Sequence, residues 1–135
     1  MFNVMMLDYI VVVDDLDLFR RVAERLIKRT FPQVTVVQAS DGQEGYDRIV
    51  ELVNQGKRVG VFSDYQMPRM SGVDLYERLS RENRSVPMLI ATSAPVDLKK
   101  DLKERRLTFP EDALIEKPYS NTEVQRILVK YFIGK

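Results

Sequence analysis

The sequence predicts an α/β domain: a doubly wound, five-stranded parallel sheet with helices on both faces. Three observations predict it. Five short β-branched or apolar runs alternate with five stretches of helical periodicity, the order that right-handed strand–helix crossovers need to build a parallel sheet. Polar residues gather where those runs end, at Asp14, Asp15, Asp64, Thr92, Ser93 and Lys117, as befits an open sheet whose site lies at the carboxyl ends of its strands. The length of 135 residues suits one compact core and leaves little room for a second.

The first strand is Tyr9 to Val13, a β-branched run that stops at Asp14 and Asp15. Phe19, Val22, Ala23, Leu26 and Ile27 then recur at helical spacing and place one apolar stripe on a helix that ends near Thr30, before Pro32. Val34 to Val37 is the second strand. Asp41-Gly42 punctuates the chain before a helix with Tyr46, Ile49, Val50 and Val53 on one face, closed by Gly56. Gly42 and Gly45 lack the pattern of a phosphate loop and read as a helix start.

Val59 to Ser63 is the third strand and delivers Asp64. A loop through Met67, Pro68 and Gly72 leads to a helix over Val73 to Ser80, with Leu75, Tyr76 and Leu79 inward. Pro87 to Ala91 is the fourth strand. Val96 to Leu107 reads as a charge-crowded, solvated helix; Asp101 and Glu104 interrupt its basic residues and argue against a nucleic-acid surface. Ala113 to Glu116 is a brief fifth strand running into Lys117-Pro118. The last helix begins near Ser120-Asn121, either of which can cap it, and buries Val124, Ile127, Leu128 and Tyr131.

Composition excludes several chemistries. The absence of Cys removes disulfides, thiolate nucleophiles and Cys-bound zinc, and the absence of His removes imidazole catalysis and His metal ligands. Carboxylates, Lys and hydroxyls remain. A net charge of +1 gives no global field toward nucleic acid or anionic lipid. The apolar stretch from Met1 to Val13 has no basic residue and contains Asp8, so it is a poor signal peptide. No apolar run reaches the roughly 20 residues of a membrane span, and a cytoplasmic location is expected.

Asp14, Asp15 and Asp64 converge at one edge of such a sheet, and three crowded carboxylates call for a cation. Mg2+ suits them, since it prefers hard oxygen ligands and keeps positions for water or phosphate oxygen. With Lys117 the occupied pocket approaches neutrality. A phosphoryl group entering it would be stabilised by the metal, Lys117 and a hydroxyl such as Thr92, and a carboxylate nucleophile would yield an acyl phosphate.

Four motifs carry a resemblance that covers nearly the whole chain: VVVDD at 11–15, SDYQMPRMSG at 63–72, LIATS at 89–93 and IEKPY at 115–119. In this order and at these strand ends, the chain resembles response regulator receiver domains of two-component signalling, which have a flavodoxin-like (βα)5 fold. The resemblance implies that Asp64 is the phosphoacceptor, that Asp14 and Asp15 hold Mg2+ with Asp15 the more direct ligand, and that Gln66 adds its backbone carbonyl. It implies further that Thr92 is the switch hydroxyl, that Lys117 contacts the phosphoryl oxygens, and that Lys117-Pro118 is a cis peptide. Gln66 and Ala94 fall where side chains tune the lifetime of the phosphate. Leu114 stands where the family usually carries an aromatic switch residue, and the approach LTFPEDAL departs from the usual Gly-Ala.

The expectation is therefore one receiver domain over 1–135, with a short N-terminal extension over 1–7 and no output domain. It is not an enzyme, although it assists its own phosphorylation and dephosphorylation. Without His, its phosphoryl donor acts in trans: a sensor histidine kinase, a histidine phosphotransfer protein or a small acyl phosphate. Its output is a downstream protein of unknown identity, with no direct nucleic acid or membrane contact, and the chain is a monomer or weak dimer. Two alternatives stand beside this. One is a non-switching receiver-like binding module, which Leu114 favours. The other is an aspartyl phosphatase of haloacid dehalogenase type, for which Asp15-Leu16-Asp17 supplies a D-x-D sequence but Phe19 departs from the motif.

Overall fold

The structure is a computed structural model that describes residues 5–134. In chain order the elements are β1 (Met5–Met6), β2 (Tyr9–Val13), α1 (Asp17–Thr30), β3 (Thr35–Ala39), α2 (Gly42–Asn54), β4 (Val59–Asp64) and α3 (Gly72–Arg81). They continue with β5 (Met88–Thr92), α4 (Pro95–Glu104), a single 3-10 turn (Glu111–Ala113), β6 (Leu114–Glu116), α5 (Asn121–Phe132) and β7 (Ile133–Gly134). Five strands form one parallel sheet in the order β3-β2-β4-β5-β6. The order reverses direction between β2 and β4, where such sheets open a crevice at their carboxyl edge.

Alternation along β2 divides the core in two. Ile10 and Val12 pack with Ala23, Leu26 and Ile27 of α1 and Val124, Ile127, Leu128 and Phe132 of α5. Val11 and Val13 face the other way, onto Tyr46 and Ile49 of α2, Leu75 and Leu79 of α3, and Leu98 and Leu102 of α4. Each face of the sheet is therefore covered by helices, which is why the strands read as nearly continuous apolar runs. Gly45 lies inside α2 against Val13, where a Cβ would come within 2.7 Å of a Val13 methyl. It is a packing glycine.

Several boundaries and faces differ from the sequence expectation. The second strand is Thr35–Ala39 rather than 34–37, and part of the expected fifth strand is the 3-10 turn Glu111–Ala113. Helix α4 stops at Glu104 rather than Leu107. There Arg106 takes φ +57, its N–H reaches the Lys103 carbonyl and the Leu107 N–H reaches that of Leu102, a Schellman closure with arginine in the left-handed position. Tyr76 and Tyr131 are half-buried, with phenols bonded to the Thr108 carbonyl and to Asp112; Phe132 takes the deep position in α5. Ser120 caps α5, accepting from the Glu123 N–H. Within the expected extension 1–7, Met5 and Met6 pair antiparallel with Gly134 and Ile133; residues 1–4 lie outside the described residues.

Candidate functional site

Strand register assembles the site. Val13 pairs with Ser63, so the next residues, Asp14 and Asp64, leave neighbouring strands at the same level, roughly 4.8 Å apart in the pairing direction. Asp64 in turn pairs with Ala91, which sets Thr92 one residue beyond, and Thr92 pairs with Glu116, which sets Lys117 one beyond that. A one-residue slip would turn each side chain to the opposite face of the sheet.

Asp14, Asp15 and Asp64 each offer an oxygen within 4.8 Å of the others. Lys117 Nζ lies 3.2 Å from Asp14 Oδ2 and 3.1 Å from Asp64 Oδ1. Asp14 is buried, its second oxygen accepts from the Leu16 N–H at 3.0 Å, and its carbonyl accepts from the Arg20 guanidinium at 2.7 Å. Asp15 is exposed and Asp64 half-buried. The Lys117-Pro118 peptide is cis.

Burial pushes the Asp64 carboxyl above the usual carboxylate range; the Lys117 charge opposes this and the Asp14 charge adds to it. For Lys117 burial pulls the ammonium down, but Asp64 and Asp14 together outweigh it and hold the group above its ordinary value. The pocket thus keeps one fixed cation between two carboxylates and leaves Asp15 facing solvent. Three hard oxygen donors converging from two adjacent strand ends fit a small divalent ion.

A cleft of about 660 Å³ opens over these groups, lined in part by Asp15, Asp64, Gln66, Thr92, Lys117 and Phe19. Thr92 is only 2% exposed, and its hydroxyl accepts the Ala94 N–H at 2.9 Å. That leaves the hydroxyl proton free to donate elsewhere. Gly72 lets the loop after β4 fold back: its N–H bonds the Tyr65 carbonyl at 2.8 Å, and a Cβ would fall 2.4 Å from the Asp64 carbonyl oxygen. Ser71 and Asp74 close a capping box that starts α3 directly afterwards.

Most residues singled out in the sequence meet here. Asp14, Asp15, Asp64 and Lys117 form the polar centre, Gln66 and Thr92 line the same cleft, and Ala94 is tied to Thr92. Leu114 stands apart, in a groove with Leu102, Leu107 and Phe109. Phe19 and Val22, expected in the core, are 37% and 40% exposed; α1 begins at the site edge, so its first turns overhang the cleft rather than the sheet. Three further contributors stand beside them, and of these Arg20 and Phe19 lie outside every quoted motif. Arg20 braces Asp14, the Phe19 ring centroid lies 4.3 Å from Lys117 Nζ, and the Tyr65 phenol bonds Asp101 in α4 at 2.9 Å. For Phe19 and Arg20 the available signal is position, one helical turn after the paired acids.

Comparison with known proteins shows the family and the fold. Residues 10–129 match the family model of the response regulator receiver domain. The chain is 30% identical over 124 residues to the two-component response regulator ORR3 of Oryza sativa subsp. indica, covering 88% of this chain and 86% of that protein. It is also 30% identical to the two-component response regulator ORR7 of Oryza sativa subsp. japonica, but spans only 54% of that protein's length. At 26% identity, 90% of this chain matches 10% of the osmosensing histidine protein kinase SLN1 of Saccharomyces cerevisiae. In fold it resembles a response regulator receiver domain protein from Clostridium thermocellum, with TM-score 0.74 and 22% identity, covering 92% of this chain and 93% of that one.

Proposed function

The chain belongs to the response regulator receiver domain family, and from that premise we propose that Asp64 is its phosphoacceptor, served by Asp14, Asp15, Thr92 and Lys117. The observation that carries this reading is the Lys117 ammonium held within 3.2 Å of both Asp14 and Asp64. A nucleophilic carboxylate, a fixed cation and Asp15 share one cleft, with the buried Asp14 held against the same cation.

In the reaction, an Asp64 carboxylate oxygen attacks the phosphorus of a donor phosphohistidine. The new O–P bond forms as the P–N bond breaks, and the departing imidazole nitrogen keeps the electron pair and takes up a proton. Mg2+, held by Asp14, Asp15, Asp64 and the Gln66 carbonyl, would neutralise charge on the phosphoryl oxygens. Lys117 supplies a second positive charge from within the fold, already placed before the donor arrives. Thr92 donates its free hydroxyl proton to a phosphoryl oxygen while still accepting from Ala94, so the start of α4 follows the state of Asp64. Gln66, exposed at the rim, and Ala94 set how readily water reaches the acyl phosphate.

The donor is a sensor histidine kinase or a histidine phosphotransfer protein; none of these 135 residues is a His, so the phosphohistidine lies outside them. The output is a change in affinity for another protein, in a cytoplasmic setting; among the described residues no helix is long and apolar enough to cross a membrane. The D-x-D reading of Asp15-Leu16-Asp17 loses its second acid to structure, since Asp17 opens α1 and pairs with Arg20 and Arg21.

Leu114 favours one other reading, a receiver that binds without switching. Beryllofluoride, which mimics the phosphoryl group on a carboxylate, separates the two: amide shifts spreading along α4 and β6 mark a switch, and shifts confined to the cleft mark a constitutive module. The phosphoacceptor assignment is tested by intact mass after incubation with Mg2+ and acetyl phosphate. Wild type gains one phosphoryl group, and labelling that persists in Asp64→Ala overturns the assignment.

A further inference from the structure

Taking Asp64 as the phosphoacceptor, we propose that Phe19 is a positioning residue for Lys117, holding its ammonium at the pocket through the face of the aromatic ring. The Lys117 ammonium makes three close contacts: Asp14 Oδ2 at 3.2 Å, Asp64 Oδ1 at 3.1 Å, and the Phe19 ring, whose centroid lies 4.3 Å from Nζ. The two carboxylates are the groups that a divalent ion and a phosphoryl group engage, so the attraction they offer Lys117 falls as the site fills. The ring is neutral and competes for neither. It attracts the cation through its quadrupole whatever the carboxylates are doing.

The position of Phe19 supports this role. It lies in the first turn of α1, shortly after Asp14 and Asp15, and stays 37% exposed although Ala23, Leu26 and Ile27 on the same helix are buried. A residue kept for core volume would sit deeper. The half-open ring instead covers one side of the ammonium and leaves the other side to the cleft, where Phe19, Asp64, Thr92 and Lys117 share the lining. Contact at this distance between a partly shielded cation and a ring is worth roughly three- to tenfold in an equilibrium or rate that needs the cation in place.

The test compares wild type with Phe19→Tyr, which keeps the ring, and Phe19→Leu, which keeps apolar bulk. NMR of the metal-free chain should show the Lys117 ε-methylene protons shifted upfield by the ring in wild type and in Phe19→Tyr, and unshifted in Phe19→Leu. At saturating Mg2+, labelling by acetyl phosphate should fall in Phe19→Leu by roughly three- to tenfold, with Mg2+ affinity unchanged and Phe19→Tyr near wild type. A small donor removes any effect on partner docking. The proposal is overturned by an unshifted Lys117 in wild type, by Phe19→Leu labelling at the wild-type rate, by Phe19→Tyr falling as far as Phe19→Leu, or by an equal loss of Mg2+ affinity. Wild type that does not label at all refutes the Asp64 assignment, and with it any role for Phe19 in transfer; normal wild-type labelling with an unaffected Phe19→Leu refutes Phe19 alone.

Discussion

Lys117 Nζ stands 3.1 Å from Asp64 Oδ1, a pairing made across 53 residues of sequence by the register of β4, β5 and β6. Burial pushes the carboxyl of this proposed nucleophile above its usual range, and the Lys117 charge opposes that shift. Lys117 also gives the metal-free site a cation of its own.

Asp14→Asn and Asp15→Asn should each weaken Mg2+ binding. Two unit charges about 4 Å apart interact by up to about 4 kcal/mol at an effective dielectric near 20, so the loss should reach roughly tenfold or more. Asp14→Asn keeps an oxygen for the Leu16 N–H, and its metal-free fold should melt close to wild type. Isothermal calorimetry with Mg2+, alongside a thermal melt, checks both statements.

Gly72→Ala should disturb the proposed nucleophile through its backbone. The added Cβ would fall 2.4 Å from the Asp64 carbonyl oxygen, and relieving that contact must move backbone on one side or the other. A cost of about 1–3 kcal/mol, read from urea unfolding, should accompany slower labelling of Asp64. Labelling at the wild-type rate would show that the loop yields without shifting β4.

The Arg105 guanidinium, just past the end of α4, joins Asp101 of that helix to Asp74 and Glu77 on α3, with contacts of 2.7, 2.7 and 3.2 Å. Burial pushes the Asp74 carboxyl up, but the Ser71 N–H and Arg105 outweigh it and hold the group below its ordinary value. A carboxyl depressed in the folded state stabilises above its unfolded pKa, and that contribution fades as pH falls through the folded one. The stability gap between wild type and Asp74→Asn should therefore be full at neutral pH and shrink below about pH 4. Arg105→Ala should cost about 1–2 kcal/mol with unchanged denaturant slope, since these side chains keep partial access to water.

Much of the site is legible because each strand ends in the residue it delivers: Val13 gives way to Asp14, Ser63 to Asp64 and Ala91 to Thr92, and alternation of apolar and polar chain is enough to find those points. What escapes the sequence has local physical reasons. Asn83 and Arg106 terminate α3 and α4 in left-handed conformations that carry no glycine signal, whereas Gly56 announces the end of α2. The pairing of Met5–Met6 with Ile133–Gly134 is too short to show any period. Phe19 has the spacing of a core residue, yet tertiary placement at the sheet edge turns it to Lys117.

Tyr65, next to the proposed phosphoacceptor, should titrate late. Burial first, and then its hydrogen bond to Asp101, push the phenol up to about 12. An acid raised in the folded state stabilises below its unfolded pKa, and this contribution is lost as pH climbs from about 10 toward that value. Ultraviolet titration should show a late component that is lost in Tyr65→Phe, while the raised Tyr46, Tyr119 and Tyr131 keep theirs. A chain whose tyrosines all titrate together near their ordinary value would contradict the buried Tyr65–Asp101 bond.

The phosphoacceptor itself is read most directly by labelling the chain with acetyl phosphate and Mg2+, reducing it with borohydride, and sequencing its peptides by mass spectrometry. Reduction of an aspartyl phosphate leaves homoserine, and the account places that homoserine at position 64 alone. Homoserine at position 14 or 15, or a phosphate that resists hydroxylamine and maps to a hydroxyl such as Thr92, would contradict it.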